Sequence, residues 1–421
     1  MKIVHLSTSD LDGGAAKAAY RIHQGLIDVG VDSTMLVRHK LSKDSTVIAN
    51  KTVLAQIGSK VDGRPLKRYP QRDRTMFSPQ WFPDSVVGRV QALNPDIVHL
   101  HWACNGFLQV ESLAKFKKPI VWTLHDMWAF TGGCHYTKGC DGYTKSCGSC
   151  PQLGSTSAKD LSHNVWQRKA KAWRTLQLTV VTPSHWMAQC ARASSLFSQS
   201  RIETIANGID SERYRPIEKS VAREALNLPK DKRLVLFGAG STTGDQRKGF
   251  HHLLAALQRL KPMEWQNRLE LVIFGESAGN DALPIPYKTH YLGRLNDDTS
   301  IALAYAAADV FLAPSIQDNL PNTVVESLMC GTPCVAFRIG GMIDMIDHEH
   351  SGYLAEPFDI DDLSQGIVWT LESDLRRAKL SQHARVQALN KFDVFKQAKK
   401  YHFAYESLLK QMSKTHEAYT F

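Results

Sequence analysis

Short apolar runs alternate with longer amphipathic stretches along this chain, and this pattern predicts its secondary structure. In the first half, five runs have the length and apolar content of buried strands: Lys2–Ser7, Pro95–His101, Pro119–Leu124, Leu178–Thr182 and Ile202–Ile205. The stretch Ala15–Val29 is predicted as a helix, because its apolar residues recur near helical spacing. Strands separated by amphipathic helices indicate a parallel sheet with helices on both faces.

The same alternation returns in the second half. Four further strands are predicted at Leu234–Phe237, Leu269–Phe274, Asp309–Ala313 and Cys334–Phe337, with a helix at Gly249–Leu260. Between the halves, residues 207–216 have turn chemistry and little apolar content, which predicts a linker. We therefore expect an α/β protein with a first domain at 1–210, a second at 211–393 and a final helical segment at 394–421.

Composition narrows the class of protein. A chain of 421 residues, 43% apolar and 22% charged, is typical of a soluble protein with more than one domain. The net charge of +10 is scattered, so it gives little support to nucleic acid as a partner. No run of eighteen apolar residues occurs, and the start MKIVHLSTSD lacks the features of a signal peptide. We expect a cytoplasmic protein whose eight cysteines are reduced, buried or metal-bound.

The segment SIQDNLPNTVVESLMCGTPCVA carries the strongest chemical signal. Asp318 and Glu326 stand eight residues apart, after a predicted strand and around a turn that ends in Pro321. Proline favours the first position of a helix, and the N–H groups of a helix start bind phosphate. Carboxylates accept hydrogen bonds from sugar hydroxyls. The pattern favours an anionic, sugar-bearing ligand; the alternative is an ordinary strand–turn–helix connection with solvated acids.

Cations follow the strand Leu234–Phe237. Arg247 and Lys248 come after a flexible loop and just before a helix, where they could compensate the charge of a departing diphosphate. A solvated basic turn is the alternative. The G-x-x-x-x-G-K-[ST] pattern of a P-loop does not fit, because Gly249 follows Lys248.

Two further loops follow strands of the first half. Gly13 and Gly14 would let the backbone approach an anion at a helix start; the alternative is a tight strand-to-helix turn. His125 and Asp126 end the strand Pro119–Leu124. Ligands of doubly wound sheets bind beyond the carboxyl ends of strands, so His125 is a candidate to orient a hydroxyl. The alternative is a structural histidine satisfied by Asp126.

Four cysteines lie within seventeen residues, in an insertion at about 130–152. Cys134, Cys140, Cys147 and Cys150 match the four thiolates of a structural zinc site, although only the C-x2-C half has typical spacing. Disulfides, free thiols and a site that uses His135 as a substitute ligand remain open. No separate basic helix accompanies the cluster, so a nucleic-acid zinc finger is disfavoured.

Eight segments carry a resemblance to a known family: DLDGGAAKAAYRIHQGL, PDIVHLH, WTLHDMW, VTPSHW, IANGID, RKGFHHLLAAL, YLGRL and PSIQDNLPNTVVESLMCGTPCVAF. They resemble glycosyltransferase family 4, retaining transferases of the GT-B fold, in which two Rossmann-like domains face each other across a cleft. The cysteine cluster after the His–Asp pair resembles a subgroup typified by colanic-acid and other bacterial exopolysaccharide or O-antigen transferases. The resemblance implies transfer from a nucleotide-diphosphate sugar to a lipid-linked surface polysaccharide, with peripheral inner-membrane contact and no catalytic metal.

The resemblance also implies roles for residues of the second domain. Glu326 would bind the donor ribose, Asp318 the donor sugar and Lys248 the diphosphate. The family's arginine usually falls near 240–243, where this chain has none, so Arg247 is the substitute candidate. The intervening turn would face the diphosphate and sugar through Asn319, Leu320, Pro321 and Asn322. Base contacts are expected from the backbone of Gly293, Arg294 and Leu295, which does not distinguish UDP from GDP.

In the first domain, the resemblance places Gly13 and Gly14 near the diphosphate and His125 near the sugar and acceptor. The helix Val394–Met412 would cross back onto this domain. Two rival functions stay open: a nucleotide-sugar epimerase of the same fold, and a non-catalytic binding protein stabilised by zinc.

Overall fold

The computed structural model describes residues 1–238, 245–260, 262–275 and 285–418, and the chain forms two compact units. One unit comprises Met1–Ala206 together with Phe395–Phe421, and the other comprises Asn207–Val394. The division between the units falls at the start of the predicted linker, residues 207–216. This segment belongs to the second unit, where Tyr214 is fully buried and donates a hydrogen bond to Asp298 Oδ1 at 2.8 Å.

The first unit is built on a seven-stranded parallel sheet of order β3-β2-β1-β4-β5-β6-β7. Its strands are β1 (Lys2–Ser9), β2 (Asp32–His39), β3 (Val47–Ala49), β4 (Ile97–Leu100), β5 (Ile120–Thr123), β6 (Leu178–Thr182) and β7 (Arg201–Thr204). Its helices up to Ala206 are α1 (Gly14–Asp28), α2 (Val53–Val61), α3 (Val86–Leu93), α4 (Leu161–Trp173) and α5 (His185–Ala193). Sequence reasoning missed β2, because polar residues interrupt its apolar pattern, and β3, because its three residues are too few to show a period.

Both faces of this sheet are covered by apolar side chains. On one face, Leu6 and Trp122 pack with Trp128 and Trp173 in the larger core. The opposite face packs against α1, with members Ile3, Ile22, Leu26, Ile97 and Val121. Burial on two faces is what parallel strands require, so the apolar runs of the sequence were a good guide to them.

The second unit contains a six-stranded parallel sheet of order β10-β9-β8-β11-β12-β13. Its strands are β8 (Arg233–Gly238), β9 (Leu269–Phe274), β10 (Thr289–Tyr291), β11 (Val310–Ala313), β12 (Cys334–Phe337) and β13 (Gly352–Ala355). The helices are α6 (Lys219–Ala225), α7 (Phe250–Arg259), α8 (Pro262–Trp265), α9 (Asp298–Ala307), α10 (Asn322–Met329), α11 (Met342–Met345), α12 (Ile360–Glu372) and α13 (Asp374–Lys391). The predicted fold class, two parallel α/β sheets with helices, is confirmed.

A buried carboxylate joins several elements of the second unit. Asp309, only 2% exposed, stands directly before β11 and accepts a hydrogen bond from the N–H of Leu234 in β8 at 2.8 Å. Arg223 and Lys219 of α6 bind it at 2.8 and 2.6 Å, and Arg377 of α13 lies 3.3 Å away. Three cations and one backbone donor compensate the burial of this charge.

The last helix, α14 (Val394–Ala418), packs on the first unit from Phe395 onward. The hydroxyl of Tyr401 lies 2.9 Å from Thr123 Oγ1, and that of Tyr405 lies 2.7 Å from His99 Nδ1. These bonds join α14 to β5 and β4. Within the described part of the chain, no helix is both long and apolar enough to span a membrane.

Candidate functional site

Strand order marks where each sheet is expected to bind a ligand. In the second unit the chain proceeds from β8 to β9 and β10 on one side, then returns to β11, β12 and β13 on the other. Ligands of such sheets bind beyond the carboxyl ends of the strands, where the order reverses. The loops after β8 and β11 meet this condition, and they carry Arg247, Lys248 and Asp318.

Asp318 forms a compact charge cluster with both predicted cations. Its side chain is nearly buried; Lys248 Nζ lies 2.6 Å and Arg247 Nη1 3.1 Å from Asp318 Oδ2. Burial alone would raise the pKa of Asp318, but the charges of Lys248 and Arg247, with hydrogen bonds from Lys248 and the N–H of Asn319, lower it to about 2. The carboxylate is therefore ionised at neutral pH, and it can accept hydrogen bonds.

Backbone packing fixes the position of this cluster. The N–H of Ile316 donates to the carbonyl of Arg247 at 2.9 Å, and Arg247 Nη1 donates to the carbonyl of Gln317 at 3.0 Å. Gly249 has φ +73°, and a Cβ there would lie 1.8 Å from the carbonyl oxygen of Pro314. The turn that bears Lys248 can therefore touch the loop after β11 only with glycine at 249.

The second acid lies on the following helix. Glu326 is buried on α10, and the hydroxyl of Tyr305 donates to its Oε2 at 3.2 Å. α10 starts directly after Pro321, whose side chain offers no cap to the first turn. A side chain stabilises the preceding turn, since Asn207 Nδ2 donates to the carbonyl of Leu320 at 3.4 Å. Asn319 and Leu320 are buried in this turn.

The expected base-side segment follows β10. Gly293 has φ +63°, and its carbonyl accepts a hydrogen bond from the N–H of Gly275 at 2.8 Å. Arg294 is exposed and Leu295 is half-buried. Residues 240–243, the usual place of the family's arginine, lie outside the described residues.

In the first unit, Gly13 and His125 follow β1 and β5. Gly13 has φ +90° and immediately precedes α1, which starts at Gly14. The N-terminus of a helix suits an anion, and the contact of these glycines with a diphosphate stays a prediction. The order of the sheet reverses between β1 and β4, so Gly13 and Gly14 lie beside its switch point.

His125 is half-buried, and its Nε2 lies 3.1 Å from His101 Nδ1. Burial lowers the pKa of His125 to about 4, against the opposing charge of Asp126, so the imidazole is neutral near pH 7. The charge of Asp126 acts on His125, as the sequence alternative had it, but the Asp126 carboxylate also forms hydrogen bonds with other groups. It accepts from His135 at 2.6 Å and from Trp102 Nε1 at 2.9 Å.

Sequence reasoning missed the histidines behind His125. His5, His99 and His101 are buried on β1, in β4 and just after β4, on one face of the sheet. The available signal was a polar residue at alternate positions of otherwise apolar strands, visible in the HLH of PDIVHLH.

The four clustered cysteines are free thiols. Burial and the neighbouring thiols raise the pKa of Cys134 to about 12, and likewise that of Cys147 to about 11. Four thiols that disfavour one another's ionisation are a donor set that a divalent cation would stabilise. Within the described chain, however, no three of these sulfurs lie within 4.8 Å of one another. A tetrahedral zinc needs sulfurs about 3.8 Å apart, so the side chains must move closer to bind it.

The hydrogen bonds of His135 disfavour it as a substitute ligand for one of these cysteines. Its Nδ1 binds Asp126 at 2.6 Å and its Nε2 lies 2.9 Å from Ser78 Oγ, so both ring nitrogens already have partners. The ring belongs to the network behind the His125 loop.

Zinc removal provides a direct test of the cysteine cluster. We expect protein purified without chelator to contain one zinc ion per chain, and chelation to lower its Tm by about 5–10 °C, since about 2–3 kcal/mol shifts a domain of this size by that amount. Cys147→Ser should lose the metal, whereas Cys190→Ser, outside the cluster, should retain it. Absence of zinc from wild-type protein by elemental analysis would contradict the prediction.

Comparison with known families matches almost the whole chain to two descriptions. Residues 12–213 match "Glycosyltransferase Family 4", and residues 218–387 match "Glycosyl transferases group 1". The division between the two matches falls close to the division between the two units. The pair of matches therefore corresponds to the pair of sheets.

Two curated proteins illustrate the similarity. The putative colanic acid biosynthesis glycosyl transferase WcaC of Escherichia coli (strain K12) is 25% identical over 357 residues, covering 80% of this chain and 83% of that protein. D-inositol 3-phosphate glycosyltransferase 2 of Catenulispora acidiphila is 31% identical over 198 residues. That alignment spans 44% of this chain and 45% of the relative, less than half the length of either.

A solved structure shares the fold over nearly the full length. The crystal structure of Anabaena Alr3699/HepE in complex with UDP-glucose superposes with a TM-score of 0.63, covering 98% of this chain and 100% of that chain. Sequence identity is 17%, so this likeness concerns the fold alone.

Proposed function

Since the chain belongs to the glycosyltransferases that join a family 4 domain to a group 1 domain in the GT-B fold, we propose that it transfers a sugar from a nucleotide-diphosphate donor to a bacterial surface polysaccharide, with retention of configuration. The observation that carries the proposal is the cluster of Asp318, Lys248 and Arg247 at the switch point of the second sheet. It combines positive charge for a diphosphate with a carboxylate for sugar hydroxyls.

The second unit supplies the donor contacts in this proposal. Lys248 and the start of α10 bind the diphosphate, Asp318 binds the sugar and Glu326 binds the ribose. The main chain at Asp318 is closely packed, since a Cβ on Gly340 would lie 2.3 Å from the Asp318 carbonyl and the N–H of Gly341 donates to that carbonyl at 3.1 Å. A nucleotide-diphosphate sugar as donor agrees with the UDP-glucose in the complex of the similar Anabaena protein, and the donor panel described below decides between UDP and GDP.

The proposed step is a displacement on one face of the sugar. The bond from the anomeric carbon to the leaving phosphate oxygen breaks, and a bond to the acceptor oxygen forms on the same side. The proton of the acceptor hydroxyl passes to the leaving phosphate oxygen, so no carboxylate nucleophile of the retaining-glycosidase kind is needed. Lys248 compensates the charge that develops on the diphosphate, and His125 serves the acceptor side of the reaction.

Glu326→Gln tests the donor site. Charged hydrogen bonds are worth about 1.5–3 kcal/mol, so the variant should raise the KM for the donor about 10- to 100-fold. Thermal shift with a panel of UDP- and GDP-sugars identifies the donor, since a ligand at a hundred times its Kd stabilises the folded chain by about 2.7 kcal/mol. Product analysis with and without glycan acceptor distinguishes transfer from epimerisation.

The matched control for that variant is Glu270→Gln. Glu270 is also buried in the second unit, but it lies near the amino end of β9 and binds His290 at 2.5 Å. It should leave the donor KM unchanged. Equal donor KM values for wild type and Glu326→Gln would count against the assigned ribose contact, and donor isomerisation without any transfer would favour the epimerase.

A lipid-linked acceptor is favoured by one surface of the first unit. On α2, Val53 is 70% exposed, and Leu54 and Ile57 are also exposed. Exposed cations stand close to these apolar side chains in the sequence, at Lys51, Lys60, Arg64, Lys67 and Arg68. Apolar side chains beside clustered cations suit the headgroup region of an anionic membrane. We propose that this surface, the α2 patch, holds the enzyme at the inner face of the cell membrane.

Vesicle sedimentation tests the α2 patch. Wild type should bind vesicles of anionic phospholipid, and the double change Val53→Glu with Ile57→Glu should lower that affinity about tenfold or more, since it removes apolar burial and adds repulsion. The control is Leu375→Glu, which changes an exposed leucine of the second unit and should bind as wild type does. Equal binding by the double variant would reject the patch as the membrane contact.

A further inference from the structure

A row of three imidazoles runs from His125 into the core of the first unit. His125 Nε2 lies 3.1 Å from His101 Nδ1, and His101 Nε2 lies 2.9 Å from His5 Nδ1. Neighbouring rings are stacked, with centroids 5.4 Å apart for His101 and His125 and 5.2 Å apart for His5 and His101. The row thus connects the loop after β5 with the middle of β1.

The surroundings hold the row rigidly. His5 and His101 are buried, and His5 pairs in register with His99 of β4. His99 stands beside the row without joining it, because its Nδ1 is engaged by Tyr405 and its Nε2 lies 2.8 Å from Thr123 Oγ1. Burial lowers the pKa of His5, His99 and His101 well below the usual value, so these rings are neutral.

Neutral rings restrict how protons can be arranged. Each neutral imidazole has one N–H and one acceptor nitrogen, so the two hydrogen bonds of the row must point the same way. If the bonds point inward, His125 donates through Nε2 and the proton of His5 is left on its Nε2. If they point outward, His5 and His101 each donate through Nδ1, and the proton of His125 is on Nδ1.

The inner end of the row distinguishes the two directions. His5 Nε2 is buried and has no hydrogen-bond partner in the structure. The inward direction would leave a buried N–H without an acceptor, whereas the outward direction leaves only an unused lone pair. Buried N–H groups without acceptors are the rarer case in folded proteins. The outward direction is therefore the favoured one.

We propose that His5 and His101 are positioning residues that hold His125 as its Nδ1–H tautomer. In this tautomer Nδ1 is the donor nitrogen of His125, and its Nε2 is not available as a base because it accepts from His101. Which nitrogen of a histidine carries the proton is commonly set by the bond that the other nitrogen makes. The tautomer follows from the fold alone; only its effect on transfer rests on the proposed function.

A metal site is the competing explanation, since His5, His99 and His101 each place a ring nitrogen within 4.8 Å of the others. The hydrogen bonds favour the row. Both nitrogens of His99 have hydroxyl partners. His5 Nδ1 and His101 Nε2 lie 2.9 Å apart and form a hydrogen bond. A metal would have to break these bonds in a buried layer. A transition metal present in stoichiometric amount and lost from His5→Leu would overturn the proposal.

Nitrogen NMR tests the tautomer without substrate. Long-range proton–nitrogen spectra of histidine-labelled full-length protein at pH 7 should show His5, His101 and His125 all as Nδ1–H forms. His101→Leu should turn His125 into a mixture of tautomers, and His101→Asn, whose amide can still donate, should restore the Nδ1–H form. A single Nε2–H form of His125 in wild type would refute the proposal.

Activity provides the second measurement. His101→Leu should lower kcat about 10- to 100-fold, as misplacement of a reacting group does, with the donor KM unchanged. His101→Asn should recover much of that loss. The control is His23→Leu, since His23 is equally buried beside His5 but binds Ser33 and Thr46 instead of the row. Equal kcat losses in His23→Leu and His101→Leu would show that the three imidazoles contribute only packing, and would contradict the positioning role.

Discussion

Lys248→Met should lower kcat about 100- to 1000-fold while the fold is retained. Loss of one group that stabilises developing charge in an enclosed site has a cost of this size. Methionine keeps most of the apolar length of lysine, so packing is preserved. Asp318 would keep Arg247 at 3.1 Å as its cation, which limits the effect on stability. The measurement is the rate of sugar transfer at saturating donor, with Tm recorded in parallel.

Lys391→Met is the matched control for that result. Lys391 also forms an ion pair in the second unit, with Asp347 at 3.1 Å, but both side chains are well exposed. Exposed pairs contribute little, so this variant should have wild-type kcat and nearly wild-type stability. If Lys248→Met transferred sugar at the wild-type rate, the diphosphate contact assigned to Lys248 would be wrong.

Asp309→Ala should destabilise the second unit by about 3–5 kcal/mol. The change leaves the buried guanidinium of Arg223 without its carboxylate, and it removes the partner of Lys219 and Arg377 as well. Breaking a buried charge pair by removing one partner has a cost of this size. Calorimetry should show the transition of the second unit about 6–20 °C lower, at about 2–4 °C per kcal/mol.

Asp374→Ala is the control for Asp309→Ala, because it removes a carboxylate that is exposed instead of buried. Asp374 is 73% exposed on its side chain and binds Arg233 and Arg377, so it shares one cation with Asp309. Its removal should cost less than about 1 kcal/mol. Similar melting curves for the two variants would show that the buried network does not carry the stability assigned to it.

Much of the fold could be predicted from the sequence, because parallel strands buried on both faces appear as continuous apolar runs. β5 and β12 are of this kind, and the acids of the second unit were found because Asp318 follows such a run. β2 was missed, since DSTMLVRH mixes polar and apolar residues, and β10 was missed because three residues leave no period to detect. Those strands form because they pair with other strands of the sheet, and this pairing is not visible in a short stretch of sequence.

The candidate site was likewise predictable only in part. Residue types and their spacing were sufficient to select Lys248 and Glu326, because both lie in or next to loops that directly follow predicted strands. The partners were not predictable: Asp126 was free to bind either His125 or His135 until the loop between them was folded. The imidazole row joins β1 to the loop after β5, and residues 5 and 125 are brought together only by the strand order.

The position of α14 has a consequence for biosynthesis. The strands β1, β4 and β5 are translated long before the residues that cover them, since the entire second unit lies between. Residues 1–206 therefore emerge from the ribosome before α14 is made, so the sheet surface that packs against Tyr401 and Tyr405 is still exposed, and the second unit can fold during that interval. Chaperone capture during synthesis should concentrate on this period, and it should end when residues 395–418 leave the exit tunnel.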